Sequence, residues 1–347
     1  MSGASYEAAG VSIDAGERAV ELMKSSVARA TRPEVVGGLG GFAGLMRLDL
    51  SRWHKPLIAA STDGAGTKTV LAQALGRHDT IGQDLVAMVV DDLVVCGAEP
   101  LLVQDYIAVG KLDPDVVASI VAGIADGCQL AGAALLGGET AEHPGLMQPG
   151  EYDVAATAVG VVEEDDVLGP DRVRPGDLIV ALASSGLHCN GYSLVRHVLA
   201  TSGTPLSTPF GNRTLGDELL EPTRIYALDC LAAAAEVPVR TWAHITGGGL
   251  AGNLARVIPA GLSAVVDRAT WTPGPVFDWV ASTGGVSVPE MERTFNMGVG
   301  MVAVVDPAAA TELAVLLTER GVPAWVAGAV RSEDAEPSYL VGEHPSA

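Results

Sequence analysis

The sequence predicts an α/β protein of two domains, on three observations. At 347 residues the chain exceeds what one hydrophobic core ordinarily supports. Short apolar strand-like runs alternate with helical segments along its length. An acidic stretch at Glu163–Pro175, carrying Gly169-Pro170 and Arg174-Pro175-Gly176-Asp177, interrupts them midway. Domains are therefore expected at 1–168 and 172–335, followed by a polar tail at 336–347.

The N-terminus reads as a helix from about Ala15 to Arg29, with Asp14 and Glu17 in capping-box positions. A glycine-dense loop, Gly37–Gly44, follows; it has no preceding strand and fits neither a Walker nor a dinucleotide pattern. A lid over a nucleotide is the expectation there. Leu57–Thr62 reads as a buried strand ending in a turn at Asp63. Thr80–Cys96 has helical period, stops at Gly97 and is sealed by Pro100. On that helix Asp84 and Asp91 share a face, and Asp92 lies about a fifth of a turn away. Strands are expected at Leu101–Val109, Ala133–Leu136 and Tyr152–Val162, with a helix at Pro114–Leu130. Beyond the boundary, strands are expected near Leu178–Ala183, Ala243–Thr246, Ala264–Asp267 and Val299–Val305. Helices near Tyr192–Ala200, Pro222–Ala235 and Pro307–Glu319 lie between them, and the chain from Ser332 is expected to fray.

Composition narrows the function. A net charge of −21 argues against nucleic acid or an anionic membrane as the main partner. Phosphate ligands would then need metal ions or nests of backbone N–H groups to enter a negative field. Cys96, Cys128, Cys189 and Cys230 form no CxxC pair and read as reduced thiols. No run approaches ~18 apolar residues and no leader is visible, so a cytoplasmic protein is expected.

Two acid-and-glycine turns carry the most chemistry: Ser61–Lys68, and Asp92 with Gly97-Ala98-Glu99-Pro100. Each sets a carboxylate beside backbone that can approach a ligand. Mg²⁺ takes oxygen ligands, usually one or two carboxylates plus phosphate oxygens and water. Lys68 adds a charge suited to a phosphate. Either turn alone reads equally as a turn-former or helix-end cap. Gly137-Gly138-Glu139-Thr140-Ala141-Glu142 is a third such turn, with Glu139 a metal ligand or ribose partner and Thr140 a phosphate donor; an ordinary strand-to-loop turn is the plain alternative. Ser184–Ser193 concentrates small donors before a helix, where phosphate or carboxylate groups are attracted; simple capping by Asn190 leaves His188 unexplained. His244 stands at a strand end beside Gly247-Gly248-Gly249, as a proton carrier or a satisfied core residue. Thr294–Met301 reads as backbone close to a ligand or as a tight lead into a core strand, the latter slightly favoured.

Taken in order, these segments resemble the phosphoribosylformylglycinamidine cyclo-ligases, also called aminoimidazole ribonucleotide synthetases. The resemblance runs from about Tyr6 to Val330. The superfamily pattern Asp-x4-Gly-Ala-x-Pro is met by Asp92, Gly97, Ala98 and Pro100. The cyclo-ligase itself is suggested by Thr62–Lys68, Gly137–Pro144, His188–Leu194, Ala243–Gly249 and Arg293–Met301. Four positions depart from the family: Asp91 replaces a usual Asn, Cys189 a common Ser, and His143 and Met297 stand where Met and Cys are frequent.

The resemblance implies ATP-dependent closure of formylglycinamidine ribonucleotide to aminoimidazole ribonucleotide, with Mg²⁺ and, as a second candidate cation, K⁺. It implies a homodimer of two-domain α/β subunits whose N-terminal sheets meet in a barrel. Asp63 and Asp92 would hold the metal, with Glu139 a third ligand and Asp91 a competitor of Asp92. Lys24, Gly40, Asp63, Gly64, Gly66, Thr67, Lys68, Asp105, Gly137, Gly138 and Thr140 would bind ATP. Ser185, His188, Asn190, Ser193, Thr246, Gly247 and Gly248 would bind the ribonucleotide. Lys68, Asp92 and His244 are the catalytic candidates, His244 for proton transfer. The rivals are a sister ATP-using enzyme of the same superfamily, such as a formylglycinamidine ribonucleotide synthetase or thiamine-phosphate kinase, and a non-catalytic nucleotide-binding scaffold.

Overall fold

The structure, a computed structural model, describes residues 6–38, 41–333 and 336–345. The chain divides into two compact units, Met1–Leu93 with Pro100–Glu163, and Val94–Glu99 with Glu164–Ala347.

Helix α1 (Ile13–Arg29) opens the first unit. Its cap is Ser12, whose side chain accepts from Ala15 N, two residues before the expected Asp14. A short hairpin, β1 (Val35–Val36) with β2 (Leu45–Met46), precedes β3 (Pro56–Gly64). Helices α2 (Thr69–Leu75) and α3 (Asp79–Val94) follow, then β4 (Glu99–Val109), α4 (Pro114–Ala131), β5 (Ala134–Glu142) and β6 (Tyr152–Glu163). The sheet runs β3-β6-β4-β5, with β3 and β6 antiparallel and β4 and β5 parallel.

Helix α3 is buried on most of its surface, including Ile81, Leu85, Val86, Val89 and Val90. It crosses α4 backbone to backbone. A Cβ on Gly123 would lie 1.7 Å from the Asp79 carbonyl oxygen, and one on Gly82 2.2 Å from Ile124 N. Only glycine permits that approach. Helix α1 lies along α4, and Leu135 N donates to Ala30 O at 2.8 Å.

The second unit begins with β7 (Leu178–Ala183) and α5 (Tyr192–Ser202). A hairpin of β8 (Pro209–Phe210) and β9 (Arg213–Thr214) leads into α6 (Leu215–Leu219), α7 (Ala227–Glu236), β10 (Val239–His244) and α8 (Gly249–Leu254). Next come β11 (Leu262–Asp267), α9 (Pro275–Gly284), α10 (Val288–Thr294), β12 (Val299–Val305), α11 (Ala310–Glu319), β13 (Ala324–Ser332) and β14 (Ser338–Val341). The six-stranded sheet runs β10-β12-β7-β13-β11-β14 and is antiparallel except where β14 joins β11. Strand β12 reads apolar at nearly every position and is buried throughout, as a central strand covered on both faces should be.

Two expectations are corrected. Chain beyond Ser332 does not simply fray, because Ser338–Val341 pairs with Ala264–Asp267. The turns expected at Asp63 and Gly137–Glu142 are strand: Asp63 pairs with Ala156, and Gly138 with Asp105. Cross-strand pairing overrides the weak strand preference of acid and glycine residues. No helix of the described residues is long and apolar enough to cross a membrane.

Candidate functional site

In the first unit the sheet alternation builds an acidic patch. Ser61 and Asp63 are two apart on β3 and so point to one side of the sheet. Helix α3 meets that side: Ser61 Oγ donates to Asp92 Oδ2 at 3.2 Å. Asp63 is exposed, and Gly64 N donates to its Oδ1 at 2.7 Å. Of the four acids on α3, Asp84 and Asp91 are fully buried, whereas Asp79, in its first turn, and Asp92 are exposed. This separates Asp91 from Asp92 as a ligand candidate.

Lys68 is not placed as expected. It is 0 % exposed, and its ammonium lies 2.8 Å from each carboxylate oxygen of Asp84. The pair neutralises a charge that burial would otherwise make very costly. Lys68 therefore anchors the Gly64–Thr67 segment from beneath and does not present its charge to a phosphate.

Glu139 is also displaced from its expected role. Strands β3 and β5 are opposite edges of the four-stranded sheet, so Glu139 stands about 14 Å from Asp63 at ~4.8 Å per strand. A metal held by Asp63 and Asp92 in the same chain is out of its reach. Among the described residues no group of three or more His, Cys, Asp or Glu side chains is arranged to hold a metal ion. Two exposed carboxylates remain, a donor set that suits Mg²⁺ when phosphate oxygens and water complete its shell.

Gly137, Gly138 and Thr140 lie on β5 beside β4. A Cβ on Gly138 would come 2.4 Å from Asp105 Oδ1, so the glycine makes room for that carboxyl. Burial pushes the Asp105 carboxyl up to about 7, and raises the neighbouring Cys128 thiol. Lys24 is exposed on α1 and paired with Glu21. Gly40 lies outside the described residues.

In the second unit topology gathers three loops. Strand β12 lies between β10 and β7 and is antiparallel to both, so its beginning coincides with their ends. Residues 184–191, 245–249 and 295–298 thus meet at one end of the sheet. Asn190 Oδ1 lies 3.3 Å from where a Cβ of Gly247 would stand, so the first two loops touch.

Most polar atoms there hold the loops themselves. His188 is 2 % exposed, in the left-handed region at φ 62, and its Nε2 accepts from Ser185 N at 3.2 Å. In a neutral ring that leaves the proton on Nδ1. Ser185 Oγ donates to Pro222 O at 2.6 Å and accepts from Arg224 N at 3.1 Å. These bonds oppose the expected direct contact of Ser185 with substrate. His244 is 4 % exposed at the end of β10, opposite Met301. Gly247, Gly248 and Ser193 are exposed, and Asn190 and Thr246 half-buried.

Sequence reasoning missed Asn253. Buried on α8, its Nδ2 donates to Thr246 O, Gly247 O and Gly249 O, and its Oδ1 accepts from Thr246 Oγ. The signal available was an amide four residues after a triple glycine. Ser61 was also missed, though its hydroxyl bonds β3 to Asp92.

Both units match one family. The model of the AIR synthase related protein N-terminal domain matches residues 43–162, and that of the C-terminal domain matches residues 174–339. The fold is that of the AIR synthase related proteins. It is shared at low identity by a thiamine-monophosphate kinase from Stenotrophomonas maltophilia, with TM-score 0.70 and 18% identity over 93% of this chain and 96% of that one. The hydrogenase maturation protein HypE in complex with ATP gives TM-score 0.65 and 18% identity over 94% and 90%. In sequence the chain is 51% identical over 328 residues to a phosphoribosylformylglycinamidine cyclo-ligase from Anaeromyxobacter sp. (strain Fw109-5), covering 94% of this chain and 95% of that relative. The chain belongs to the phosphoribosylformylglycinamidine cyclo-ligase family.

Proposed function

We propose that the chain is the ATP-dependent ligase that closes formylglycinamidine ribonucleotide to 5-aminoimidazole ribonucleotide, releasing ADP and phosphate. The likeness to a cyclo-ligase over nearly its whole length carries this reading. The exposed pair Asp63 and Asp92 supports its ATP arm.

The formyl amide carbon is a poor electrophile because its oxygen leaves poorly. That oxygen takes the γ-phosphoryl group of ATP, giving ADP and an iminophosphate. The nitrogen bearing the ribose attacks the same carbon, the C–O bond breaks, and phosphate departs as the ring closes. Such transfer relies on positioning and charge neutralisation more than on a protein nucleophile. Mg²⁺ when bound offsets the charge of the polyphosphate, and Asp63 and Asp92 would hold it. The backbone of Gly64, Gly66 and Thr67 would line the triphosphate, fixed from below by the Lys68–Asp84 pair. Gly137, Gly138, Thr140 and Asp105 are the second ATP set, and Lys24 an outlying contact. His188, Asn190, Ser193, Thr246, Gly247 and Gly248 would hold the ribonucleotide, His188 through the loop it braces. His244 would take the proton from the attacking nitrogen.

A homodimer joined through the four-stranded sheet belongs to the same reading. Ile58 is 62% exposed there, with Leu57 and Tyr106 also exposed, more apolar surface than a lone sheet usually leaves in water. Ile58→Lys should convert a dimer to a monomer by light scattering; a wild-type monomer would remove this part. The cyclisation itself is tested by incubation with formylglycinamidine ribonucleotide and Mg-ATP, reading ADP and aminoimidazole together. Equal amounts of both are expected. ADP without the aminoimidazole would point to a sister kinase.

A further inference from the structure

We propose that Asn296 is a positioning residue for the ribonucleotide: it clasps the β7–α5 loop to the turn before β12 and so fixes where His188 and Asn190 stand. The inference rests on the cyclo-ligase reading for its ligand, and on geometry for the clasp.

Asn296 is 3% exposed and uses both ends of its amide. Nδ2 donates to Gly186 O at 2.9 Å, across to the other loop. Oδ1 accepts from Gly298 N at 2.8 Å within its own turn, and from Ser184 Oγ at 3.3 Å. Ser184 closes the circuit, its N donating to Gly298 O at 2.9 Å and its Oγ to Gly186 O at 2.9 Å.

The clasp joins two strained turns. His188 at φ 62 and Met297 at φ 48 are the two non-glycine residues with positive φ among the described residues. Such conformations persist only where surrounding bonds enforce them. Met297 is held by Trp271 Nε1 donating to its carbonyl at 2.9 Å, and His188 by Ser185 N. The Asn296 side chain is bonded to both loops, with Ser184 as its partner across them.

The 295–300 segment also forms the floor beneath His188. A Cβ on Gly300 would lie 2.5 Å from His188 Cε1 and 2.1 Å from Tyr226 Oη, while Tyr226 Oη donates to Ala183 O at 2.8 Å. A Cβ on Gly191, next to Asn190, would lie 2.2 Å from the Phe295 ring. A shift of Asn296 therefore moves the floor and the loop together. The bonds given for the amide join residues of the second unit, so the effect expected of its loss is on the ribonucleotide and not on ATP.

Asn296→Asp keeps the shape and the acceptor for Gly298 N but loses the donor to Gly186 O. Its KM for formylglycinamidine ribonucleotide should rise at least about ten-fold, with KM for ATP within about two-fold of wild type. Amide hydrogen exchange should accelerate at residues 184–191 and not in the strands of the same sheet. Should that variant fail to fold, Asn296→Ser, which can still accept from Gly298 N, carries the same two readouts. An unchanged ribonucleotide KM overturns the proposal, as does a parallel rise of both KM values with exchange quickened across the whole unit. Wild-type protein that yields no aminoimidazole would instead overturn the cyclo-ligase reading, and the exchange pattern alone would then decide the clasp.

Discussion

The two units hold their candidate side chains in opposite ways. In the first, Asp63 and Asp92 face solvent, bonded to Gly64 N and Ser61 Oγ, and a buried Lys68–Asp84 pair anchors the segment that follows Asp63. In the second, His188 is tied within its own loop and Ser185 to Pro222 and Arg224, and Asn253 and Asn296 secure the neighbouring loops. The difference follows from what each is proposed to bind. A metal-bound polyphosphate brings its own strong electrostatics and needs accessible oxygens on a firm base. A ribonucleotide is selected by shape and by many weaker contacts, so its loops must be rigid beforehand.

Breaking the base of the first unit should have the largest effect. Lys68→Ala removes the ammonium paired with the buried Asp84 carboxyl, a loss of about 3–5 kcal/mol in unfolding free energy by urea melts. Lys68→Met with Asp84→Leu should recover much of it, because removing both charges ends the penalty. An unchanged melt for Lys68→Ala would mean the pair is not buried in solution.

The contrast between adjacent acids on α3 comes next. Asp92→Asn should lower ATP-dependent turnover by at least about a hundred-fold with little change in melting. Asp91→Asn should act the other way, shifting the melt more than the ATP dependence, because Asp91 is buried. Matching kinetic losses in both variants would erase the distinction drawn from exposure. In the second unit, His244→Ala should lower kcat while leaving the KM for ATP unchanged; an unaltered maximal rate would free His244 from proton transfer.

The smallest effect is on pH. Asp105 has its carboxyl raised from 3.8 to about 7 by burial, so the folded state keeps a proton that the unfolded chain has released. Its contribution is fully favourable below pH ~4, is lost as pH rises toward 7, and is flat beyond. Asp105→Asn should therefore melt a few degrees above wild type at pH 8 and close to it at pH 4. Equal differences at both pH values would contradict the shift.

Much of the fold was legible locally. The all-apolar run at Val299–Val305 and the helix ending before Gly97 came through because their signals lie within a single segment. What was not legible depended on distant partners. Asp63 and Gly138 look like turn residues until β6 and β4 pair with them. Ser338–Val341 is a strand only because β11 offers an edge. In the site, the acids Asp63 and Asp92 could be found from their glycine neighbours. The burial of Lys68 could not, since its partner lies 16 residues on and a lysine after glycines reads like a phosphate ligand. Glu139 was misgrouped for a similar reason: sheet order, which sets its distance from Asp63, is not written in spacing.

The account turns on the acid pair of the first unit. Crystals grown with Mn²⁺ and a non-hydrolysable ATP analogue test it most directly, through the anomalous signal of the metal. An ion within about 2.5 Å of carboxylate oxygens of both Asp63 and Asp92, bridged to phosphate oxygens, is the result expected. A nucleotide-bound ion coordinated elsewhere, with both acids still facing solvent, would contradict it.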